Sequence, residues 1–439
     1  MFRFQRPKAN SKWPFVKIFY TNFTFSSVPC SMNVNPIILS IPIFFILIGI
    51  ELVVERFSHR KLYSLPDAVA NISCGITSQL SGLFMRVLAI GAYELVYENF
   101  ALFTMDKTWL YWLGLFLLTD FTYYWAHRMS HEVNLFWGGH VVHHQSEEYN
   151  LSVALRQSSF QVVWTFAFSL PIALIGFDTV DFILISALNT LYQFWIHTEA
   201  IKKMGWFEYV FNTPSHHRVH HGRNPRYIDK NHAGSLIIWD KMFGTFEPEH
   251  EKPVYGITKP INSWNPVWAN FNHYVTMVSE MKTIPSFKDK IRYMFSKPGW
   301  LPEDRGGYRQ APSIDHATYQ KYTTPAPIVL NYYVLFQYVV CLGGVSMFLF
   351  NQTRFNILEQ GAIALLISLV VVNCGVLFEN KRWVIYSERI RIIAYPILIM
   401  TFATIHHLPF YVSVAAIVYM IISAIWFYSI SKKIHVQKV

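Results

Sequence analysis

"WLYWLGLFLLTDFTYYWAHRMSHEVNLFWGGHVVHH", residues 109–144, decides how this chain is read. Residues 109–127 are apolar and aromatic, and as helix they cover about 28 Å, close to the hydrocarbon thickness of a bilayer. His127 ends that run and the remainder carries His131, His140, His143 and His144, and within the pair 127/131 and the trio 140/143/144 spacings of three and four let rings share one side of a helix. Ionisable rings beside a membrane span are costly unless a function requires them. The stretch therefore predicts a spanning helix that delivers a histidine cluster to the membrane surface.

The rest of the chain agrees with a polytopic membrane protein. Hydrophobic residues make up 52% of the 439 residues and charged residues only 15%, against about 25% charged in a soluble domain. The net charge of +10 comes without a basic stripe or nucleic-acid motif, so no nucleic-acid partner is expected. Cys30, Cys74, Cys341 and Cys374 are scattered, with no CxxC pair for a zinc ribbon or disulfide framework. The first apolar run begins at residue 36 and is long enough to span, unlike a cleavable signal.

The expected fold is all-α, a membrane helical bundle with a cytosolic histidine-rich di-metal cap and extra C-terminal transmembrane helices. An N-terminal segment, 1–35, precedes a membrane-embedded block, 36–325, with spans near 36–54, 68–98, 109–127, 159–175 and 180–196. The last two form a hairpin around "IGFDTVD" that either crosses fully or dips in and returns. Residues 197–325 read as one polar segment. A C-terminal block, 326–439, adds apolar runs at 326–350, 357–378, 390–405 and 409–430. "ERFSHRK" (55–61), residues 197–325, "ENKRW" (379–383) and "SKKIHVQK" (431–438) are basic and fall on one side, which predicts a cytosolic face carrying the histidines. Sequons at Asn22 and Asn351 fall on the other side. Arg3, Arg6, Lys8, Lys12 and Lys17 also fall there, against this orientation.

Nine histidines lie in four groups: His127 and His131; His140, His143 and His144; His197, four residues after Gln193; and His217, His220 and His221 in "HHRVHH". Neutral imidazole binds zinc, iron and copper, and nine ligands exceed the needs of one ion, so two ions are expected. Lone histidines at a membrane boundary are ordinarily interfacial or core hydrogen bonders, and His59, His250, His273, His316, His406, His407 and His435 are read that way. His216 is adjacent to a motif but off its spacing.

Two carboxylates accompany the cluster. Asp120, seven residues before His127, is expected to accept a proton from a ligand's second ring nitrogen; a plain boundary hydrogen bond is the alternative. Glu132 follows His131 and is read as a similar orienting group or proton carrier, or else as a solvated helix end. Arg156 meets a substrate head group or braces the histidine motifs. No HExxH occurs, since "HEVNL" lacks the returning histidine, and the Glu-rich pattern of soluble di-iron bundles is absent. A cluster made almost wholly of histidine beside a bilayer suits oxygen activation on lipid.

"DFTYYWAHRMSHEVN", "HVVHH", "QFWIH" and "HHRVHH", in this order, resemble the fatty acid hydroxylase superfamily of membrane di-metal oxygenases. "GGHVVHHQSEEYNLSVALRQS" (138–158), "NTPSHHRVHHGRNPRYIDKNHAGSLIIWDKMFGTFEPE" (212–249) and the C-terminal spans resemble its glyceryl-ether-cleaving branch. The resemblance implies a tetrahydrobiopterin-dependent monooxygenase of the endoplasmic reticulum membrane, active site facing the cytosol, with the nine histidines binding two iron ions. It implies an alkylglycerol or lyso-alkylglycerophospholipid substrate, O2 as oxidant, and a fatty aldehyde and a glycerol derivative as products. Glu132 matches a position that the family needs. Gln193 departs from the HxxxH of fatty acid 2-hydroxylases, and His232 stands where an aromatic residue is expected. Two other readings remain: a sterol or fatty-acyl hydroxylase or desaturase using cytochrome b5, disfavoured by the C-terminal block, and a metal-binding transporter, disfavoured because the histidines sit at helix ends.

Overall fold

The computed structural model describes residues 3–4, 36–314 and 319–431. Arg6, Lys8, Lys12, Lys17, the Asn22 sequon, Cys30, His316, His435 and the basic tail after Ser431 lie outside the described residues. The fold is helical, as expected. Helix α1 (Pro36–Ser58) exposes Leu39, Ile43, Ile46, Ile50 and Val53, the pattern of a lipid-facing helix, and buries Glu51, which accepts from Leu151 N at 2.8 Å. Helix α2 (Leu65–Phe100) has two characters. Its first half buries Asp67, Asn71, Ser73 and Ser78, whereas Val87 and Leu88 in its second half are exposed. The polar residues are satisfied by neighbours: Asn71 Nδ2 donates to Ser152 Oγ at 3.0 Å and Ser78 Oγ to the Ser158 carbonyl at 2.9 Å.

Past α2, a two-residue strand β2 (Phe103–Thr104) pairs antiparallel with β1 (Arg3–Phe4), Arg3 opposite Thr104 and Phe4 opposite Phe103. This pairing holds residues 3–4 at the end of the bundle away from the histidines. Helix α3 (Trp109–Glu132) then runs back and breaks at extended Val133, after which α4 (Asn134–His144) turns over it. Helix α5 (Leu151–Ala154), α6 (Val162–Thr165), a 3-10 turn (Phe166–Ser169) and α7 (Leu170–Ile175) follow.

Residues 162–175 form an apolar helical limb of about 21 Å, shorter than the about 30 Å hydrocarbon core of a bilayer. Gly176 makes the turn at φ +115, and a Cβ there would lie 2.0 Å from the Phe103 carbonyl oxygen, so only glycine fits. Asp178 caps the returning helix α8 (Thr179–Trp195) by accepting from the backbone of Val180 at 2.9 Å and Asp181 at 3.2 Å.

The polar segment folds into α9 (Pro214–His220), α10 (Ile238–Met242), α11 (Pro266–Thr283) and α12 (Phe287–Phe295). It is not uniformly polar: α11 exposes Val267, Phe271, Val275 and Val278, and α12 exposes Phe287, Ile291 and Phe295. The C-terminal block is α13 (Ile328–Asn351), α14 (Ile357–Leu377), α15 (Arg382–Ile405) and α16 (Phe410–Ser431). Helix α15 begins eight residues before the apolar run read at 390, and the charged Glu388 and Arg391 on either side of that point are paired with each other. Arg391 Nε and Nη2 donate to Glu388 at 2.7 and 2.6 Å, and both residues are 1% exposed.

By length and composition, four helices can cross a membrane among the described residues: Leu65–Phe100, Ile328–Arg354, Ile357–Leu377 and Phe410–Ser431. Glu379 accepts from Ser263 Oγ at 2.7 Å and Trp264 N at 2.6 Å, and Asn380 Nδ2 donates to the Pro325 carbonyl at 2.9 Å. These bonds put "ENKRW" and the 197–325 segment at one end, the end that also carries the histidines.

Candidate di-metal centre

Four helices present C-terminal ends to one point. His127 and His131 occupy the last turns of α3, His140, His143 and His144 the last turn of α4, and His217, His220 and His221 the end of α9. His197 lies just beyond α8. Helix C-termini carry partial negative charge, so this convergence favours a cation at the centre. Pro214 starts α9 in its first turn, where its missing N–H costs nothing.

All nine predicted histidines come together, in two adjoining groups. His127, His131, His140, His144 and His220 offer nitrogens within 4.8 Å of one another, as do His143, His197, His217 and His221. All nine are buried. Rings of the two groups touch directly: His144 stacks on His221 with centroids 4.4 Å apart, and His143 lies 5.4 Å from His144.

Backbone carbonyls fix the ring orientation. His127 Nδ1 donates to the His232 carbonyl at 2.8 Å, His143 Nδ1 to Arg156 at 3.0 Å, His197 Nδ1 to Gln193 at 2.7 Å and His220 Nδ1 to Lys230 at 2.9 Å. A carbonyl only accepts, so each Nδ1 carries the proton, and in a neutral ring Nε2 is bare. Yet Nε2 of His143 and His197 face each other at 3.2 Å, and Nε2 of His127 and His140 at 2.9 Å. The Nε2 atoms of His131, His220 and His221 are buried without any partner.

Lone pairs aimed at one another across such gaps are repulsive unless a cation lies between them. Ligands at right angles around an ion with bonds of about 2.1 Å are about 3 Å apart, so the donor set fits a pair of transition-metal ions. Burial favours the metal-binding form. It pushes the His143 ring down to about 4, and burial with neighbouring imidazoles holds His140, His144, His197, His217, His220 and His221 well below their ordinary value.

Neither carboxylate bonds a histidine ring, and Asp120 takes the plain hydrogen-bonding alternative. Asp120 bonds to no histidine ring. It accepts from Ser235 N at 2.7 Å, Leu236 N at 3.0 Å and Trp239 Nε1 at 2.9 Å, because the His127 nitrogen it was expected to hold is already taken by the His232 carbonyl. Asp120 thus anchors the loop just after His232. Glu132 accepts from Arg128 Nε at 3.1 Å and lies 3.6 Å from Lys297 Nζ, which also pairs with Asp229 at 3.6 Å. Asp229 Oδ1 is 3.8 Å from His131 Nδ1, a carboxylate that the sequence reading did not single out.

Gln193 turns its side chain to Asn189, and only its carbonyl serves His197. His216 stays outside both groups, packed on Phe246 with centroids 5.4 Å apart. His232 is fully buried with its ring 5.0 Å from that of His131, and neither ring nitrogen has a partner. It too lies outside the two groups. Arg156 braces: Nε donates to the Val142 carbonyl at 2.6 Å, Nη1 to Asn71 at 3.1 Å and Nη2 to Gln145 at 2.8 Å. Sequence reasoning missed Asp240, which accepts from His232 N and Ala233 N, each at 2.8 Å; nothing in its spacing marked it.

Residues 112–245 match the family model described as fatty acid hydroxylase. Fold, histidine groups and this match define a membrane protein of the fatty acid hydroxylase class. Alkylglycerol monooxygenase of Homo sapiens is 48% identical over 264 residues, 60% of this chain and 59% of that protein. The protein of the same name from Danio rerio is 39% identical over 331 residues, 74% of this chain and 73% of its own. That of Caenorhabditis elegans is 32% identical over 358 residues, 75% and 70% of the two chains. The chain belongs to the alkylglycerol monooxygenase family. It spans less than two thirds of the human relative's length in that match. No solved structure matches it significantly.

Proposed function

We propose that this chain is a membrane monooxygenase that oxygenates the ether-bearing carbon of alkylglycerols and lyso-alkylglycerophospholipids. The observation that carries the chemistry is the pair of groups of bare, buried imidazole nitrogens, five and four strong. The alkylglycerol substrate class is supported by the activity for which the relatives are named. His127, His131, His140, His144 and His220 would hold one iron ion and His143, His197, His217 and His221 the other, which would supply oxygen activation, with tetrahydrobiopterin as the two-electron donor.

One oxygen atom enters the C–H bond beside the ether oxygen, and the other leaves as water with two electrons and two protons. The resulting hemiacetal breaks its carbon–oxygen bond to give a fatty aldehyde and the glycerol alcohol. Backbone carbonyls hold four of the nine rings in position, those of His127, His143, His197 and His220. Glu132, still partly exposed beside Lys297 and Asp229, is the proposed proton carrier between solvent and the cluster. Asp120 positions the loop behind His232. An orientation with the histidines toward the cytosol is supported by the basic loops at the histidine end, and residence in the endoplasmic reticulum membrane is carried over from the family resemblance alone.

The test is fatty aldehyde release from a 1-O-alkylglycerol by membranes expressing the chain, with and without tetrahydrobiopterin. Pterin-dependent aldehyde is expected. No aldehyde from expressed, iron-loaded protein overturns the substrate assignment.

A further inference from the structure

A cavity of about 490 Å³ opens against Arg156, within the size range of small-molecule sites. Its walls come from both parts of the chain: the start of α2, the loop after α4, residues 260–264, and residues 321–331 leading into α13. The C-terminal block thus helps enclose a space against the histidine domain. Arg156 lines this cavity, and its carbonyl accepts from His143 Nδ1 at 3.0 Å. Asp67 lines it too, and is linked to Arg156 through Asn71, with bonds of 2.8 and 3.1 Å. One bonded chain therefore joins the cavity wall to a metal-facing ring.

The lining chemistry narrows the ligand. Lys61, Arg156 and Lys321 balance Asp67, Glu147 and Glu148, so the charge of the lining cancels. Arg156 spends its donors on protein acceptors, and Lys321 pairs with Glu148. No uncommitted cluster of cations awaits a phosphate. The rings of Trp264 and Tyr322 stand 4.9 Å apart, tilted by 39°, and both line the cavity. Asn331 also lines it, and its buried Oδ1 has no hydrogen-bond partner, an acceptor that a ligand N–H would satisfy. Aromatic faces, mixed polar edges and no net charge match a small uncharged heterocycle with donor and acceptor edges.

We propose that this cavity binds the pterin reductant, with Asn331 accepting from the heterocycle, and that the C-terminal block supplies one wall of the site. The proposal rests on the pterin-dependent reading given above. It is tested on the full-length, zinc-loaded protein in detergent, where no turnover occurs, by anaerobic equilibrium dialysis against tetrahydrobiopterin and separately against 1-O-alkylglycerol. Asn331→Leu and Tyr322→Leu are compared with wild type, with bound zinc counted to confirm the fold. The expected result is retention of pterin by wild type and at least about tenfold weaker retention in a variant with full zinc, alkylglycerol retention being unchanged.

Wild-type pterin affinity in both zinc-replete variants overturns the cavity assignment and leaves pterin dependence standing. Loss of alkylglycerol retention alone also overturns it, in favour of a lipid head-group site. Failure of wild type to retain pterin removes the pterin reading itself.

Discussion

Nε2 of His143 and Nε2 of His197 lie 3.2 Å apart while each ring donates its Nδ1 proton to a backbone carbonyl. Both facing nitrogens are therefore bare, and the contact has no proton to hold it together. A cation between them resolves the repulsion, which makes this pair the sharpest local argument for metal at the second group.

His221 belongs to that group, and its Nε2 is buried and unpartnered. In His221→Ala the second group loses one of its four candidate ligand nitrogens. The variant is expected to retain at most about half the metal of wild type and to release no aldehyde above background. Elemental analysis beside the aldehyde assay checks this. Full metal content with full activity sinks the two-ion assignment.

Glu132 separates a proton-carrying role from ligation. It contacts Arg128 and Lys297 and no histidine ring in the described bonds. Glu132→Gln is expected to keep its metal and lose about 10²-fold or more in kcat. Loss of metal in that variant makes Glu132 a ligand and changes the coordination scheme.

The histidine groups were legible because three- and four-residue spacing survives in any helix, and all nine rings converge as spaced. The partners were not. His127 finds its acceptor in the His232 carbonyl, 105 residues away, and a backbone carbonyl leaves no mark in sequence. Asp120 stood in register with His127, yet sequence spacing gives a face and not a partner, and the carboxylate turned to the 235–239 loop. The start of α15 was hidden for another reason: hydropathy counts Glu388 and Arg391 as charged, whereas folding pairs them inside the bundle.

Gly75 links packing to the site. A Cβ there would lie 2.3 Å from the Leu155 carbonyl oxygen, a backbone atom that moves only with its segment. The next residue is Arg156, whose carbonyl orients His143. Gly75→Ala is expected to destabilise by about 1–3 kcal/mol and to weaken metal retention. A thermal melt and a metal count check both, and unchanged metal content means the Arg156 carbonyl does not control the ring.

Arg218 and Glu249 brace α9, with Nε to Oε1 at 2.9 Å and Nη2 to Oε2 at 2.7 Å. Burial pushes the Glu249 carboxyl up, but the Arg218 bonds outweigh it, and the net value is below the ordinary one. The folded state therefore binds this proton less readily than the unfolded chain. The stabilisation is complete above the unfolded value of about 4.5 and is lost as pH falls through the lower folded value. Glu249→Gln is expected to cost about 2 kcal/mol at neutral pH, less than a fully buried pair because Glu249 keeps 17% exposure. Melting curves from pH 7 to 3 should show the gap to wild type closing with acid; a constant gap rules the linkage out.

The charge pair within the C-terminal block is expected to be structural. Arg391 Nη1 donates to Tyr419 at 2.7 Å and Nη2 to Gln337 at 2.7 Å, so together with Glu388 every guanidinium nitrogen is engaged. Arg391→Met strands Glu388 among apolar helices and is expected to cost about 3–5 kcal/mol. Adding Glu388→Leu removes the stranded charge, and the double variant should recover most of that loss. A double-mutant cycle on melting temperature measures it, with aldehyde release recorded alongside. Recovery of stability without recovery of activity assigns the pair a functional part, because packing alone returns both together.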